Sequence, residues 1–334
     1  MTDITLLSHY LQPVTKWLAE DGVTEVVING PHEIGIETRD GWRWEPEPDL
    51  TFEHLMTLAR AAAAVTKQDI NETHPICSTT LPNGERCQIV IPPAVPAGTV
   101  SFTIRKPTSA DLSITDFEQS GLFDEVKIAD GKTSDVDEEL IKLRDNGQWK
   151  EFFTLAVRAR KNIIISGATG SGKTTFSKAL LNLIPHDERL LTIEDARELT
   201  MPHKNVVHML YAKDGQGQAK TGAKELLESA LRMKPDRILL QELRDGTAFF
   251  YMRNVNSGHP GSITTVHADS AELAFEQLTL LVKESPGGSD LAREDIRGLL
   301  TMLVDVIVQM KRVGGRFRMT EVYFDPIRKR QRVN

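Results

Sequence analysis

Cysteine is almost missing from this 334-residue sequence, which has only Cys77 and Cys87. They form no CxxC pair. That excludes a zinc module and a disulfide framework, and the expected state is two reduced thiols in a cytosolic protein. Long apolar runs are missing too. No stretch approaches the roughly 18 apolar residues of a membrane span. The opening MTDITLLSHYLQPVTKW lacks the basic-then-apolar order of an export signal. The expected location is therefore cytoplasmic, with any membrane contact peripheral or through a partner. A basic surplus is also missing. Lys+Arg number 40 against 47 Asp+Glu, a net charge of −7, which argues against a DNA-coating protein but leaves room for a local basic patch.

What is present is ordinary for a folded chain. Hydrophobic residues make up 40% and charged residues 26%, which excludes global disorder. The length suits about two domains. Residues 1–107 read as an α+β domain. Leu7, Leu11, Val14 and Leu18 recur at helical spacing, and Pro13 either kinks that helix or starts a second one. Residues 24–29 and 33–38 read as strands separated by the turn Gly30-Pro31. Leu55 to Val65 is Ala-rich and helical. Two more strands are expected around 87–91 and 100–105, flanking a Pro-rich loop at 92–98. Residues 108–150 are polar and acidic, including Asp124-Glu125, Asp130-Gly131 and the run from Asp135. They read as a connector with short helices. From 151 to 334, short β-rich runs alternate with helical stretches, which predicts a mostly parallel sheet.

The strongest chemical signal is residues 162–175, NIIISGATGSGKTT. They match G-x-x-x-x-G-K-[ST] between an apolar strand and a helical run, the context a P-loop requires. The glycines let backbone N–H groups turn inward onto phosphate oxygens, and the helix N-terminus adds a favourable dipole. Gly167, Ala168, Thr169, Gly170, Ser171, Gly172, Lys173, Thr174 and Thr175 are the expected nucleotide cradle. Lys173 supplies charge for the β and γ phosphates, and the Thr174 hydroxyl is a candidate Mg²⁺ ligand.

Three further segments end in polar groups. Residues 237–242, RILLQE, form an apolar strand ending at Glu242, where strand C-termini meet the nucleotide crevice. Most P-loop ATPases place Asp then Glu here, and this chain has Gln241 then Glu242. Glu242 would hold Mg²⁺ through water, orient the attacking water, or both; the plain alternative is a surface glutamate after a core strand. Residues 190–198, LLTIEDARE, form a second such strand, with Glu194 and Asp195 at its end; the alternative is a helix-capping Asp195. Residues 258–269, GHPGSITTVHAD, form a strand ending at His267, whose alternative role is structural.

Taken in order, these four segments resemble the signatures of the secretion-type traffic ATPases, the hexameric motors of bacterial type II, type IV pilus and type IV secretion systems. They stand as Walker A (167–174), Asp box (193–198), Walker B (238–242) and His box (258–267). The resemblance covers nearly the whole chain. Lacking a tetra-cysteine module, the chain is more similar to the type IV secretion and conjugation branch. Gln241 departs from the Gly of many members.

The resemblance implies an α/β architecture: a C-terminal RecA-like P-loop ATPase domain behind a smaller α+β domain. It implies Mg²⁺-dependent ATP hydrolysis in a homo-hexameric ring, energising DNA or protein export or pilus assembly. Partners would be inner-membrane components and other ATPases of the machine, at the cytoplasmic face of the inner membrane. Direct nucleic-acid binding stays open. Lys173, Glu242, Glu194 and His267 would act at the phosphates, with Thr174 and Glu242 near the metal. Whether Glu194 or Glu242 activates water stays open. Arginines from the N-terminal domain would reach the phosphates, and Arg86 and Arg105 fit; surface pairing is the alternative. A small-molecule kinase and a nucleotide-dependent switch with little turnover are the competing readings. The basic tail from Arg328 to Arg332 is either a lipid or DNA contact or a solvated end.

Overall fold

The computed structural model describes residues 2–107, 112–126, 133–212, 217–256 and 258–331. Pro13 falls in the first turn of a second helix, so α1 (Thr2–Tyr10) and α2 (Gln12–Leu18) are separate. A proline costs least there, because first-turn N–H groups have no partner within the helix. The strands β1 (Glu25–Ile28), β2 (Glu33–Thr38), β3 (Gly41–Pro46), β4 (Ile76–Thr80), β5 (Arg86–Val90) and β6 (Ser101–Arg105) form one sheet. Its order is β3-β2-β1-β6-β5-β4, and every neighbour pair is antiparallel. Helix α3 (Phe52–Val65) is capped by the Thr51 hydroxyl, which accepts from the His54 N–H at 3.2 Å.

Alternation along β1, β5 and β6, the most buried of these strands, sends successive side chains to opposite faces. Val26, Ile28, Cys87, Ile89, Phe102 and Ile104 pack with α1, α2 and α3. The residues between them face the C-terminal half. Val90 joins its core, Gln88 donates to the Ser229 hydroxyl at 2.9 Å, and Thr103 accepts from Arg189 at 3.1 Å. Cys77 and Cys87 are free and buried in this sheet.

In the acidic connector, α4 (Ile114–Gln119) buries no residue. The next helix behaves differently. α5 (Asp135–Asp145) buries Leu140 and Leu143 in the same core as Phe152 and Val157 of α6 (Trp149–Arg158). Asp130 and Gly131 lie outside the described residues.

The C-terminal half holds two strand groups. β7 (Ile163–Ser166) stands between β11 (Ile263–Val266) and β12 (Val306–Val313), and β13 (Arg316–Phe324) pairs with β12 at the edge. β8 (Leu190–Glu194) stands between β10 (Arg237–Leu240) and β9 (Val206–Leu210). All these pairs are parallel except β12–β13. A parallel bridge between Glu242 and Thr265 joins the two groups. Together they form the expected parallel-rich sheet, in the order β9-β8-β10-β11-β7-β12-β13. One face is covered by α5, α6 and α7 (Lys173–Leu181). The other is covered by α8 (Ala223–Ala230), α9 (Thr247–Asn256), α10 (Ala271–Lys283) and α11 (Arg293–Leu303). Being covered on both faces, β7 and β10 carry unbroken apolar runs at 163–165 and 238–240, while β8 and β11 bury threonines among their apolar residues.

The halves meet through buried polar contacts. Arg189 is fully buried and donates to Asn29, Asn205, Thr103 and the Met233 carbonyl. A buried guanidinium is tolerated only when its donors are matched in this way. No helix among the described residues is long and apolar enough to cross a membrane. In the basic tail, carried by α12 (Pro326–Gln331), Lys329 pairs with Asp305 at 2.6 Å; Arg332 lies outside the described residues.

Candidate active site

The parallel sheet brings the C-terminal ends of β7, β10 and β11 to one edge, where residues 167–172 lead into α7. The loop is shaped by close approach. A Cβ on Gly167 would stand 2.4 Å from the Met310 carbonyl oxygen. Gly172 caps α7 at φ 94°, and no side chain caps the helix in its place. The first-turn N–H groups therefore face outward, as phosphate binding requires. Ala168, Thr169, Gly170, Gly172, Lys173, Thr174 and Thr175 line a cleft of about 400 Å³. Ser171 is buried behind them.

Lys173 is buried to 8% exposure. Its ammonium donates to the Gly167 and Ala168 carbonyls at 2.6 and 3.1 Å. Burial pushes its pKa down, and the Glu242 carboxylate partly restores it. The Nζ also lies 3.4 Å from His267 Nδ1, and His267 Nε2 lies 2.7 Å from Glu242 Oε1. A neutral imidazole with its proton on Nε2 satisfies both contacts. Lys173, His267 and Glu242 thus form one hydrogen-bonded chain along the cleft, drawn from α7, the end of β11 and the end of β10.

Glu194 is placed differently from expectation. It is fully buried and does not line the cleft. One carboxylate oxygen accepts from the Thr192 hydroxyl at 2.6 Å and meets His208 Nδ1 at 3.1 Å. The other accepts the Glu198 and Leu199 N–H groups, both at 2.7 Å. Burial raises its pKa, but these hydrogen bonds outweigh it and leave the pKa below the ordinary value. A carboxylate with every lone pair engaged holds the turn after β8 and has none left for a water. Its neighbours face the cleft instead: Asp195 and Glu198 line it.

Gln241, the departure from the family pattern, ties this loop to the next strand. Its side chain accepts from the Asp195 N–H at 3.2 Å and donates to Glu198 at 3.0 Å. Arg244 also lines the cleft and is missing from the site as read from sequence. It pairs with Asp195 at 2.7 Å and lies 3.8 Å from Glu242. Burial opposes its charge, but hydrogen bonds to Tyr211 and Asp195 raise its pKa. The available signal was its position two residues after Glu242. Phe317 on β13 lines the same cleft, and no motif marked it.

Arg86 and Arg105 stand opposite each other on β5 and β6. Both are exposed and open onto a separate cavity of about 1250 Å³, shared with Glu25, Arg160, Arg232 and Lys234. They do not line the P-loop cleft of their own chain.

The site suits a nucleotide and its metal. Among the described residues no group of three or more His, Cys, Asp or Glu forms a cation cage. Mg²⁺ needs none, because it is held by one or two protein oxygens plus phosphates and water. The Thr174 hydroxyl and the Glu242 carboxylate line the cleft as such oxygens.

The chain has clear relatives among known proteins. Residues 8–312 match the model of the "Type II/IV secretion system protein" family. A type IV secretion system protein VirB11 of Bartonella henselae is 53% identical over 338 residues, covering 98% of this chain and 95% of the relative. The VirB11 of Brucella suis is 42% identical over 330 residues, covering 97% and 91%. The crystal structure of the VirB11 ATPase from the Brucella suis type IV secretion system, in complex with sulphate, superposes with a TM-score of 0.94 at 41% identity; the match covers 99% of this chain and 98% of that one. The chain therefore belongs to the type II/IV secretion system protein family, on its type IV secretion branch.

Proposed function

We propose that this protein hydrolyses ATP with Mg²⁺ as a homo-hexameric ring, energising macromolecule export or pilus assembly by a type IV secretion or conjugation system. The observation that supports this best is the Lys173–His267–Glu242 chain at the P-loop. It sets a carboxylate and an imidazole where the γ-phosphate of a nucleotide held by residues 167–175 would lie.

In this reading the backbone N–H groups of the loop and the α7 N-terminus bind the phosphates. Lys173 exchanges its two carbonyl contacts for the β and γ oxygens. The Thr174 hydroxyl would hold the metal, which when bound would neutralise charge developing on the phosphates. Glu242, oriented by His267, would hold the metal through water or position the attacking water. His267 contacts the γ-phosphate. Glu194 braces the loop that presents Asp195 and Glu198.

Arg86 and Arg105 then stabilise the transferring phosphoryl group from outside, contributed by a neighbouring copy or after the two halves rearrange. A ring satisfies the first route, because each subunit lends its arginines to the next. The protein works at the cytoplasmic face of the inner membrane with other components of the machine.

The second reading, a nucleotide-dependent switch with little turnover, is favoured by Gln241. That residue replaces a small one and engages both Asp195 and Glu198. Phosphate release and particle size should be measured together, with and without lipid vesicles. Turnover that rises with hexamer formation supports the motor. Tight nucleotide binding with no turnover in the assembled ring supports the switch.

A further inference from the structure

The P-loop cleft has two ends. One is marked by Glu242 and His267, which follow β10 and β11 on one side of β7. The other lies across β7, on the β12–β13 side, where Phe317 lines the cleft. The ring leans on the P-loop itself: a Cβ added to Gly172 would stand 2.9 Å from two of its carbons. Yet Phe317 is 51% exposed, so much of the ring stays open.

Register shows why this residue points at the cleft. Phe317 stands across from Arg312, while Lys311 stands across from Arg318 and Val313 from Arg316. Side chains alternate between the faces of a ribbon. Phe317 and Arg312 therefore share one face, the one over Gly172. Lys311, Val313, Arg316 and Arg318 share the opposite face. A large apolar ring on a solvated, cation-rich hairpin contributes nothing to the core, and it sits where a flat ligand group would meet it.

We infer that Phe317 is the nucleobase platform of this site. With the γ-phosphate at the Glu242–His267 end, the triphosphate crosses the glycines and brings the base to the β13 end. There the aromatic ring stacks on it and the Gly172–Phe317 contact braces the ring from behind. Every base has a π face, so stacking alone retains any nucleotide with little preference among bases. This inference rests on the P-loop reading above.

The test separates the two claims by using two probes on the full-length protein, ATP and inorganic tripolyphosphate, which has the phosphates but no base. Wild-type protein should bind both. Phe317→Ala should weaken ATP binding about tenfold, the scale of one lost base–aromatic stack, and leave tripolyphosphate affinity unchanged. Phe317→Trp should restore ATP affinity. Equal weakening of both probes would overturn the base-platform assignment and make Phe317 a brace for the loop. Unchanged ATP affinity in Phe317→Ala would overturn it as well. Failure of wild-type protein to bind tripolyphosphate, with ATP bound normally, would instead count against phosphate capture by the P-loop.

Discussion

His267 Nε2 lies 2.7 Å from Glu242 Oε1, and the other ring nitrogen of His267 faces the Lys173 ammonium at 3.4 Å. Two residues at the ends of adjacent strands therefore act as one unit. Glu242→Gln keeps the shape but removes the charge, and hydrolysis should fall about a hundredfold while ATP stays bound. His267→Ala should cost about tenfold. The double variant should be scarcely worse than Glu242→Gln alone, because groups acting together are not additive. Steady-state phosphate release from the four proteins gives the cycle. Costs that simply multiply would mean the contact is incidental.

Lys173→Ala removes the cation that closes the loop on Gly167 and Ala168. Hydrolysis should drop by at least about a hundredfold, the scale of losing a principal charge stabiliser. The circular-dichroism spectrum should match wild type, because the core lies elsewhere. Near-normal turnover in a folded Lys173→Ala protein would remove the site from this loop.

Arg86 and Arg105 open onto a cavity away from their own P-loop. The Arg86→Ala, Arg105→Ala double variant should lose most of its turnover and still bind ATP. Mixed with inactive Lys173→Ala protein, it should regain activity, since each variant supplies what its neighbour lacks. Absence of recovery in rings shown to contain both variants would mean the arginines act within one chain or not at all.

Glu25 stands between Glu37 on β2 and Arg105 on β6. Burial pushes its pKa up from 4.5 to about 7, although Lys234, Arg105 and Arg189 pull the other way and Glu37 adds to the rise. The folded state therefore holds this proton more tightly than the unfolded chain does. Its stabilising effect is complete below about pH 4.5 and is lost as pH rises to 7, a span of up to about 3 kcal/mol. Glu25→Gln should flatten that part of the profile. Urea midpoints between pH 5 and 8 are the measurement, and a wild-type slope retained in the variant would assign it to another group.

Much of the chemistry was present in local order. The P-loop, the strands ending at Glu242 and His267, and the parallel-rich sheet all follow from short contiguous patterns, because a strand covered on both faces is built of apolar and β-branched residues and a phosphate loop needs glycine at set spacings. Pro13 left two outcomes open, and position within the first turn decided for a second helix. Other features were settled only by tertiary structure. The turn after β8 buries Glu194 under four donors and turns Asp195 and Glu198 outward, and nothing in the string LLTIEDARE ranks those three carboxylates. The β12–β13 hairpin carries no motif, so Phe317 is found only when antiparallel register sets it over Gly172. α5 looks like acidic connector until Leu140 and Leu143 are seen packed beside α6. Arg86 and Arg105 were legible as arginines beside strands, but which cleft they face depends on how the two halves pack. Local patterns record what a segment must satisfy by itself; the direction of a side chain across a sheet, and the partner it meets, are properties of contacts between segments distant in the chain.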